Sequence, residues 1–295
     1  MSGGLTHPDR VFFPDAGVTK ADYRDYLLGI AERILPHVAR RPLSLVRCPD
    51  GIGGECFFQK HHARGMPDGF RPVEIEEKSG KSRDYLAIED EAGLEACAQF
   101  GALELHPWGS TLADIEHPER VIFDLDPDIG YDFADLKDTA RDIADLLRTA
   151  GLEPHALLTG GKGIHVIAPL DRSAGWDEVK TFAQGLARAL EANDPARYVS
   201  SASKEKRKGR IFVDWLRNQR GATAIAPYSV RARPAATVAT PVRWDELPRI
   251  EQSGAYTLKT LPRRLAGLKA DPWADYFSSA APLKEGALEW ARGFL

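Results

Sequence analysis

The chain has 295 residues, a formal net charge of −4, 43% hydrophobic and 28% charged residues. That is the composition of an ordinary soluble globular protein, large enough for one big domain or two lobes sharing a cleft. It excludes a surface coated all over with positive charge, and no apolar run approaches the length of a membrane span. Nothing in Met1-Ser2-Gly3-Gly4-Leu5-Thr6-His7-Pro8 resembles a signal peptide, so a cytoplasmic protein with no membrane partner is expected. Cys48, Cys56 and Cys97 are odd in number and lack C-x-x-C spacing, which argues against a disulfide framework or a Cys-rich zinc site. Positive charge is confined to patches. Lys204-Glu205-Lys206-Arg207-Lys208-Gly209-Arg210 carries five basic residues against one acid, as a ligand touching only part of the surface would need.

In chain order, residues 5–14 read as a short turn and strand carrying Arg10. Thr19-Lys20-Ala21-Asp22 opens a helix, with Thr19 as N-cap and Asp22 in the first turn. Tyr23, Tyr26, Leu27, Ile30 and Ile34 recur at helical spacing, and Pro36 follows the last of them. Lys20 stands at the positive end of that helix, a favourable place for a phosphate. Taken alone, a solvated lysine is the preferred reading. Residues 43–49 read as a strand and 51–54 as a glycine-rich turn. Phe57 and Phe58 are neighbours in the next strand and point to opposite faces, so one can be core while the other is exposed. An exposed ring flanked by Lys60 and Arg64 suits base stacking, and a core pair beside a basic loop is the alternative. His61 and His62 with Cys56 match no common zinc spacing. Two strands around the turn Lys78-Ser79-Gly80-Lys81 account for residues 71–88. A short helix covers 94–100, and a strand over 103–108 places His106 and Trp108 on one side.

The second half is organised around Val121-Ile122-Phe123-Asp124-Leu125-Asp126-Pro127-Asp128. An apolar run leads into aspartates at i and i+2, which point the same way from a strand. Two carboxylates side by side repel unless a cation lies between them, and hard oxygen ligands suit Mg²⁺ or Mn²⁺. A solvated strand end explains a lone D-x-D equally well. An amphipathic helix follows through Phe133, Leu136, Ala140, Ile143 and Leu147 and ends at Gly151. Residues 155–159 form a strand, and Gly160-Gly161-Lys162-Gly163 makes a turn whose backbone N–H groups could approach a phosphate, although it is no Walker A loop. His165 alternates with Ile164 and Val166 and faces away from their side. A second long helix runs from Trp176 to Leu190. The basic run then enters Ile211-Phe212-Val213-Asp214-Trp215, where Asp214 shares a face with Phe212 and offers a third carboxylate. Tyr228-Ser229-Val230-Arg231-Ala232-Arg233-Pro234 sets Arg231 and Arg233 on one face, a possible phosphate clamp. Beyond Trp244 only short helical pieces are legible.

The ordered set of these motifs resembles the polymerase domain of bacterial ATP-dependent DNA ligase D, in the archaeo-eukaryotic primase superfamily, over nearly the whole chain. The motifs are Leu5-Thr6-His7-Pro8-Asp9-Arg10 with Thr19-Lys20, Phe57-Phe58, Asp124-Leu125-Asp126, Thr159-Gly160-Gly161-Lys162-Gly163-Ile164-His165, Val213-Asp214, and the 228–234 segment. The resemblance implies that Asp124, Asp126 and Asp214 hold two divalent cations, Mn²⁺ or Mg²⁺. It implies that His165, Thr159, Lys162, Arg207 and Arg231 contact the triphosphate of an incoming NTP or dNTP, with His106 near its sugar. Arg10 and Lys20 would hold a DNA 5′-phosphate, and Phe57 or Phe58 would stack on the template. Two departures stand out: the family more often has Asn at the His7 position and Ser at the Thr159 position. Threonine keeps the hydroxyl; the role of His7 in phosphate binding is left open.

The implied activity is nucleotide addition, ribonucleotides preferred, to a primer 3′-hydroxyl at gaps and double-strand breaks in bacterial non-homologous end joining. Its implied partners are primer-template DNA, a ligase domain in the parent polypeptide and the Ku end-binding protein. The alternative is a two-metal phosphohydrolase or nuclease, which uses the same carboxylate pattern. A calcium module fails because Ile129 stands where an EF-hand loop needs glycine and Asp135 replaces the final Glu. The expected architecture is mixed α/β: a central, largely antiparallel, RRM-like sheet flanked by helices (residues 116–295) and an N-terminal lobe (1–115), together forming one compact unit.

Overall fold

The computed structural model describes residues 4–77, 79–128 and 130–295, without the side chain of Asp126. Lys78 of the expected 78–81 turn and Ile129 lie outside the described residues. The chain divides into two units, neither of them one continuous stretch. The first comprises Met1–Trp108, Thr223–Ala239 and Tyr256–Leu268; the second comprises Gly109–Ala222, Thr240–Ala255 and Lys269–Leu295. A boundary drawn near residue 115 therefore follows only the first crossing. Hydrophobic spacing shows that a later segment is buried, but not which body it is buried against.

In the first unit, strands β1 (Val11–Phe13) and β2 (Val18–Thr19) pair antiparallel and lead into helix α1 (Lys20–Gly29). Thr19 caps α1 as its sequence predicts, accepting from the Asp22 N–H at 3.2 Å while the Asp22 carboxylate accepts from the Thr19 N–H at 2.8 Å. The single helix expected through Ile34 is instead two. The chain breaks at Ile30, just after Gly29, a poor helix former, and Pro36 lies inside helix α2 (Ala31–Val38). Strand β3 (Leu43–Arg47) is central to a five-stranded sheet. On one edge it pairs with β7 (Ala102–Pro107); on the other it pairs with β4 (Phe57–Gln59) and, at Leu43, with β6 (Ser82–Ala87), whose outer neighbour is β5 (Arg71–Glu76). Helix α3 runs Glu91–Phe100, starting earlier than hydrophobic spacing suggests because Asp90 caps it, accepting from the Gly93 N–H at 3.2 Å.

The first return, Thr223–Ala239, is stitched to this body by the Ala226 N–H on the Leu105 carbonyl (2.9 Å), the Leu105 N–H on the Ser229 hydroxyl (2.9 Å) and the Tyr26 hydroxyl on the Tyr228 carbonyl (2.7 Å). Cys48 and Cys56 form a disulfide, contrary to the reading of cysteine spacing, and Cys97 is a buried free thiol. The β3–β4 register explains the bond: Arg47 opposes Phe57, so Cys48 and Cys56 form the next pair outward across the connection.

The second unit is built on a six-stranded sheet in the order β11-β12-β8-β10-β9-β13. Its strands are β8 (Arg120–Pro127), β9 (His155–Leu158), β10 (Ile164–Pro169), β11 (Tyr198–Val199), β12 (Ile211–Asp214) and β13 (Thr240–Val242). Helix α4 (Phe133–Thr149) follows β8 and helix α5 (Trp176–Asn193) follows β10. The chain order βαββαβ with spatial order β12-β8-β10-β9 is that of an RRM-like core, and each neighbouring pair of these four strands is antiparallel. Phe123, Leu125, Ile164, Val166 and Val213 are fully buried on one face of the sheet, where α4 and α5 pack. The alternate residues, Asp124, His165 and Asp214 among them, fall on the opposite face. Among the described residues no helix is long and apolar enough to cross a membrane.

Candidate active site

The antiparallel register sets the central feature of the second unit. Asp214 of β12 stands opposite Asp124 of β8, and Asp124 stands opposite His165 of β10. Directly opposed residues share a face, so three strands deliver two carboxylates and an imidazole into one row. His165 Nε2 lies 3.2 Å from Asp124 Oδ1. One nitrogen of Arg217, Nη2, lies 3.2 Å from Asp124 Oδ2 and 3.3 Å from Asp214 Oδ2. The backbone N–H of Leu216 donates to Asp214 Oδ1 at 2.8 Å. Asp214 is only 6% exposed; burial pushes its pKa up, Arg217 opposes that shift and the charge of Asp124 adds to it. Burial also raises Asp124, but His165 and Arg217 outweigh it and bring the pKa down to about 2. The first of the two carboxylates to take a proton is thus Asp214. Asp126 has its backbone in β8 opposite Phe212, and its side chain lies outside the description.

Two devices hold the row in place. Where β12 ends, the Asn218 side chain continues its edge, accepting from the Ile122 N–H (2.8 Å) and donating to the Ile122 carbonyl (2.6 Å). That brace fixes the turn carrying Arg217. On the other side, the carbonyl of Gly163 accepts from the Thr159 N–H (3.2 Å), the Thr159 hydroxyl (3.0 Å) and the Ser253 hydroxyl (2.6 Å). Gly163 packs so closely on β8 that a Cβ would stand 2.5 Å from the Leu125 carbonyl oxygen. Lys162 is exposed in this loop. Arg207, in the basic run, lies over the ring of Phe212 at 4.1 Å, and the Gly209 N–H donates to Asp128 (2.8 Å).

The remaining predicted residues belong to the first unit. Glu104 and His106 share a face of β7, and Glu104 Oε2 lies 2.8 Å from His106 Nε2. The other Glu104 oxygen accepts from Arg231 Nε (3.1 Å) and from the Ala232 N–H (2.9 Å). Although burial raises Glu104, its hydrogen bond with His106 and the Arg231 charge bring its pKa down to about 2. Arg10 donates to the Pro49 carbonyl (2.9 Å) and pairs with Asp50 (2.8 Å). Lys20 differs from the solvated lysine expected at a helix start. It is 5% exposed, and its amine donates to the Thr6 carbonyl (2.9 Å) and to Gln99 (3.2 Å), with burial and Arg10 lowering its pKa. The split expected for the two phenylalanines is also not found. Phe57 is 39% and Phe58 71% exposed, because β4 is a three-residue strand with neither face covered. Sequence reading did not single out Arg217, Asn218, Ser253 or Glu104; only Glu104 carried a signal, as the polar alternate of His106 on an apolar strand.

The chemistry of the row suits a divalent cation. A buried carboxylate, Asp214, and a half-buried one, Asp124, converge on a single positively charged nitrogen, and Asp214 is raised by burial and by its neighbour's charge, a cost that a hard cation relieves. His165 Nδ1 beside them is buried without a hydrogen bond. No three described carboxylate, imidazole or thiolate groups are arranged to hold a metal ion, and Asp126 is not among the side chains described.

An RRM-like sheet with carboxylates on paired strands, beside a glycine loop and an imidazole, defines a nucleotidyltransferase of the primase-polymerase class. The family model for the LigD primase-polymerase domain matches residues 19–273. The multifunctional non-homologous end joining protein LigD of Pseudomonas aeruginosa is 39% identical over 273 residues, 92% of this chain and 32% of that protein. The bifunctional non-homologous end joining protein LigD of Bacillus subtilis is 28% identical over 92% of this chain and 44% of that protein. The polymerase domain from Mycobacterium tuberculosis ligase D in complex with DNA is similar in structure, with a TM-score of 0.86 and 33% identity over 94% of this chain and 99% of that one. The chain belongs to the LigD primase-polymerase domain family. It spans about a third of the length of the Pseudomonas relative.

Proposed function

We propose that this chain adds nucleotides to a primer 3′-hydroxyl at gaps and broken DNA ends, with ribonucleotides preferred, within a bacterial end-joining protein that also carries a ligase domain and works with Ku. The observation that carries the reading is the row Asp214–Asp124–His165, in which carboxylates from two strands meet at one positive charge. In this reading Asp124, Asp126 and Asp214 hold two divalent cations, Mn²⁺ or Mg²⁺. When bound, such cations acidify an attacking hydroxyl and neutralise charge on a departing pyrophosphate.

The protein's own residues supply position and electrostatics. The glycine loop, kept in shape by Thr159, presents backbone N–H groups to a phosphate, with Lys162 exposed beside it. His165 is directed at Asp124 from the adjoining strand and serves the triphosphate, together with Arg207 and Arg231. His106 reads the sugar. Arg10 and Lys20 act on a DNA 5′-phosphate, Lys20 by the positive field of a buried amine rather than by a free side chain. Phe58, and Phe57 beside it, offer exposed rings to template bases.

Primer extension on a 5′-phosphorylated gapped duplex, NTP against dNTP and Mn²⁺ against Mg²⁺, tests this. Asp214→Ala is expected to abolish addition while circular dichroism and DNA binding stay normal. Retained addition in that variant refutes the reading.

A further inference from the structure

We propose that Glu104 is a positioning residue that sets His106 and Arg231 as one unit for the incoming nucleotide. The proposal rests on the reading above that both side chains contact that nucleotide. Glu104 is 6% exposed, and a carboxylate so far removed from water is costly unless its acceptor sites are filled. They are filled by a strand and a loop. Oε2 faces His106 Nε2 at 2.8 Å, and Oε1 accepts from Arg231 Nε at 3.1 Å and the Ala232 N–H at 2.9 Å.

The two partners differ in how firmly the backbone holds them. His106 is on β7, registered against β3 with Glu104 opposite Val46 and His106 opposite Ser44. Arg231 is outside any regular strand, its backbone held by its N–H on the Thr237 carbonyl at 2.7 Å. Glu104 therefore transfers the rigidity of the strand to a loop cation. The contact at Nε holds the plane of the guanidinium, which a planar, forked donor needs for phosphate recognition. The contact at Nε2 likewise sets the orientation of the imidazole. A carboxylate placed this way acts on both ligand contacts at once, without touching the ligand itself.

Single-nucleotide addition to a gapped duplex, scored for nucleotide KM, kcat and NTP-to-dNTP ratio, tests the inference with Glu104→Gln, Glu104→Asp, His106→Ala and Arg231→Ala. Glu104→Gln is expected to raise the nucleotide KM about tenfold, the loss of one charge-assisted contact, and to change kcat by less than about threefold. It should shift the sugar ratio in the direction of His106→Ala and be less than additive with Arg231→Ala. Glu104→Asp, which keeps the charge, should recover part of the affinity, and it carries the same KM test if Glu104→Gln fails to fold. A wild-type KM in the folded Glu104 variants, with only the melting temperature lowered, while His106→Ala and Arg231→Ala raise KM, overturns the proposal and leaves Glu104 a structural ion pair. If His106→Ala and Arg231→Ala both leave KM unchanged, the nucleotide reading itself falls, and this proposal falls with it.

Discussion

Arg217→Met removes a guanidinium that touches both carboxylates of the row while keeping most of the side-chain length. The wild-type contacts are 3.2 Å to Asp124 and 3.3 Å to Asp214. Two charge-assisted contacts at about 1.5–3 kcal/mol each set the upper bound. One effect reduces it. The Arg217 side chain is 39% exposed, so water screens part of the attraction. A net loss of about 2 kcal/mol remains, or roughly 4–8 °C in melting temperature for a body of this size. Under the proposed function divalent cations should reverse the loss, because they would neutralise the same pair of carboxylates with no guanidinium competing. An ion at a hundred times its Kd contributes about 2.7 kcal/mol. Thermal melting at pH 7, first in EDTA and then across a MnCl₂ titration, reads both parts. The variant should melt lower than wild type in EDTA and gain more from Mn²⁺. A variant as stable as wild type in EDTA, or one that gains nothing from the cation, refutes the view that Arg217 occupies the position of a metal charge.

Gly163→Ala would place a Cβ 2.5 Å from the Leu125 carbonyl, and backbone must move to admit it next to Asp124. A stability loss of about 1–3 kcal/mol and at least a tenfold fall in nucleotide addition are expected; normal melting and normal primer extension together would count against the packing argument. His155 gives a pH signature. Burial, partly opposed by Asp275, brings its pKa from 6.5 down to about 4, so the folded state keeps the imidazole neutral. As pH falls the unfolded chain binds this proton first, so stability is complete above pH 6.5 and drains away towards pH 4, by up to about 3 kcal/mol. Urea midpoints should decline over that window in wild type and much less in His155→Gln; parallel curves would refute it. Glu104 and Asp124, both held near 2, withdraw their stability only as pH falls through their own, lower window.

The parts of the site that sequence carries are those with a period along the chain. Alternation in Phe123-Asp124-Leu125 and Val213-Asp214-Trp215 sets each acid on the face opposite its apolar neighbours, and Ile164-His165-Val166 does the same for the histidine. Alternation misleads at Phe57-Phe58 because it presumes that one face is covered, and β4 has no such face. It is silent about Arg217, which sits in a turn with no period and reaches its partners because Asn218 pins that turn to Ile122. Ser253 reaches Gly163 from a segment distant in the chain, and nothing local marks it. Lys20 shows a further limit: the helix start is legible from Thr19 and Asp22, but the direction of the amine is decided by Thr6 and Gln99, which helix rules do not include. The row itself runs across the strands. A one-residue slip of β12 against β8 would leave every alternation pattern intact and turn Asp214 to the opposite face from Asp124. Cross-strand register, set by side chains such as Asn218 and by the close approach of Gly163, is therefore what turns three legible residues into a site.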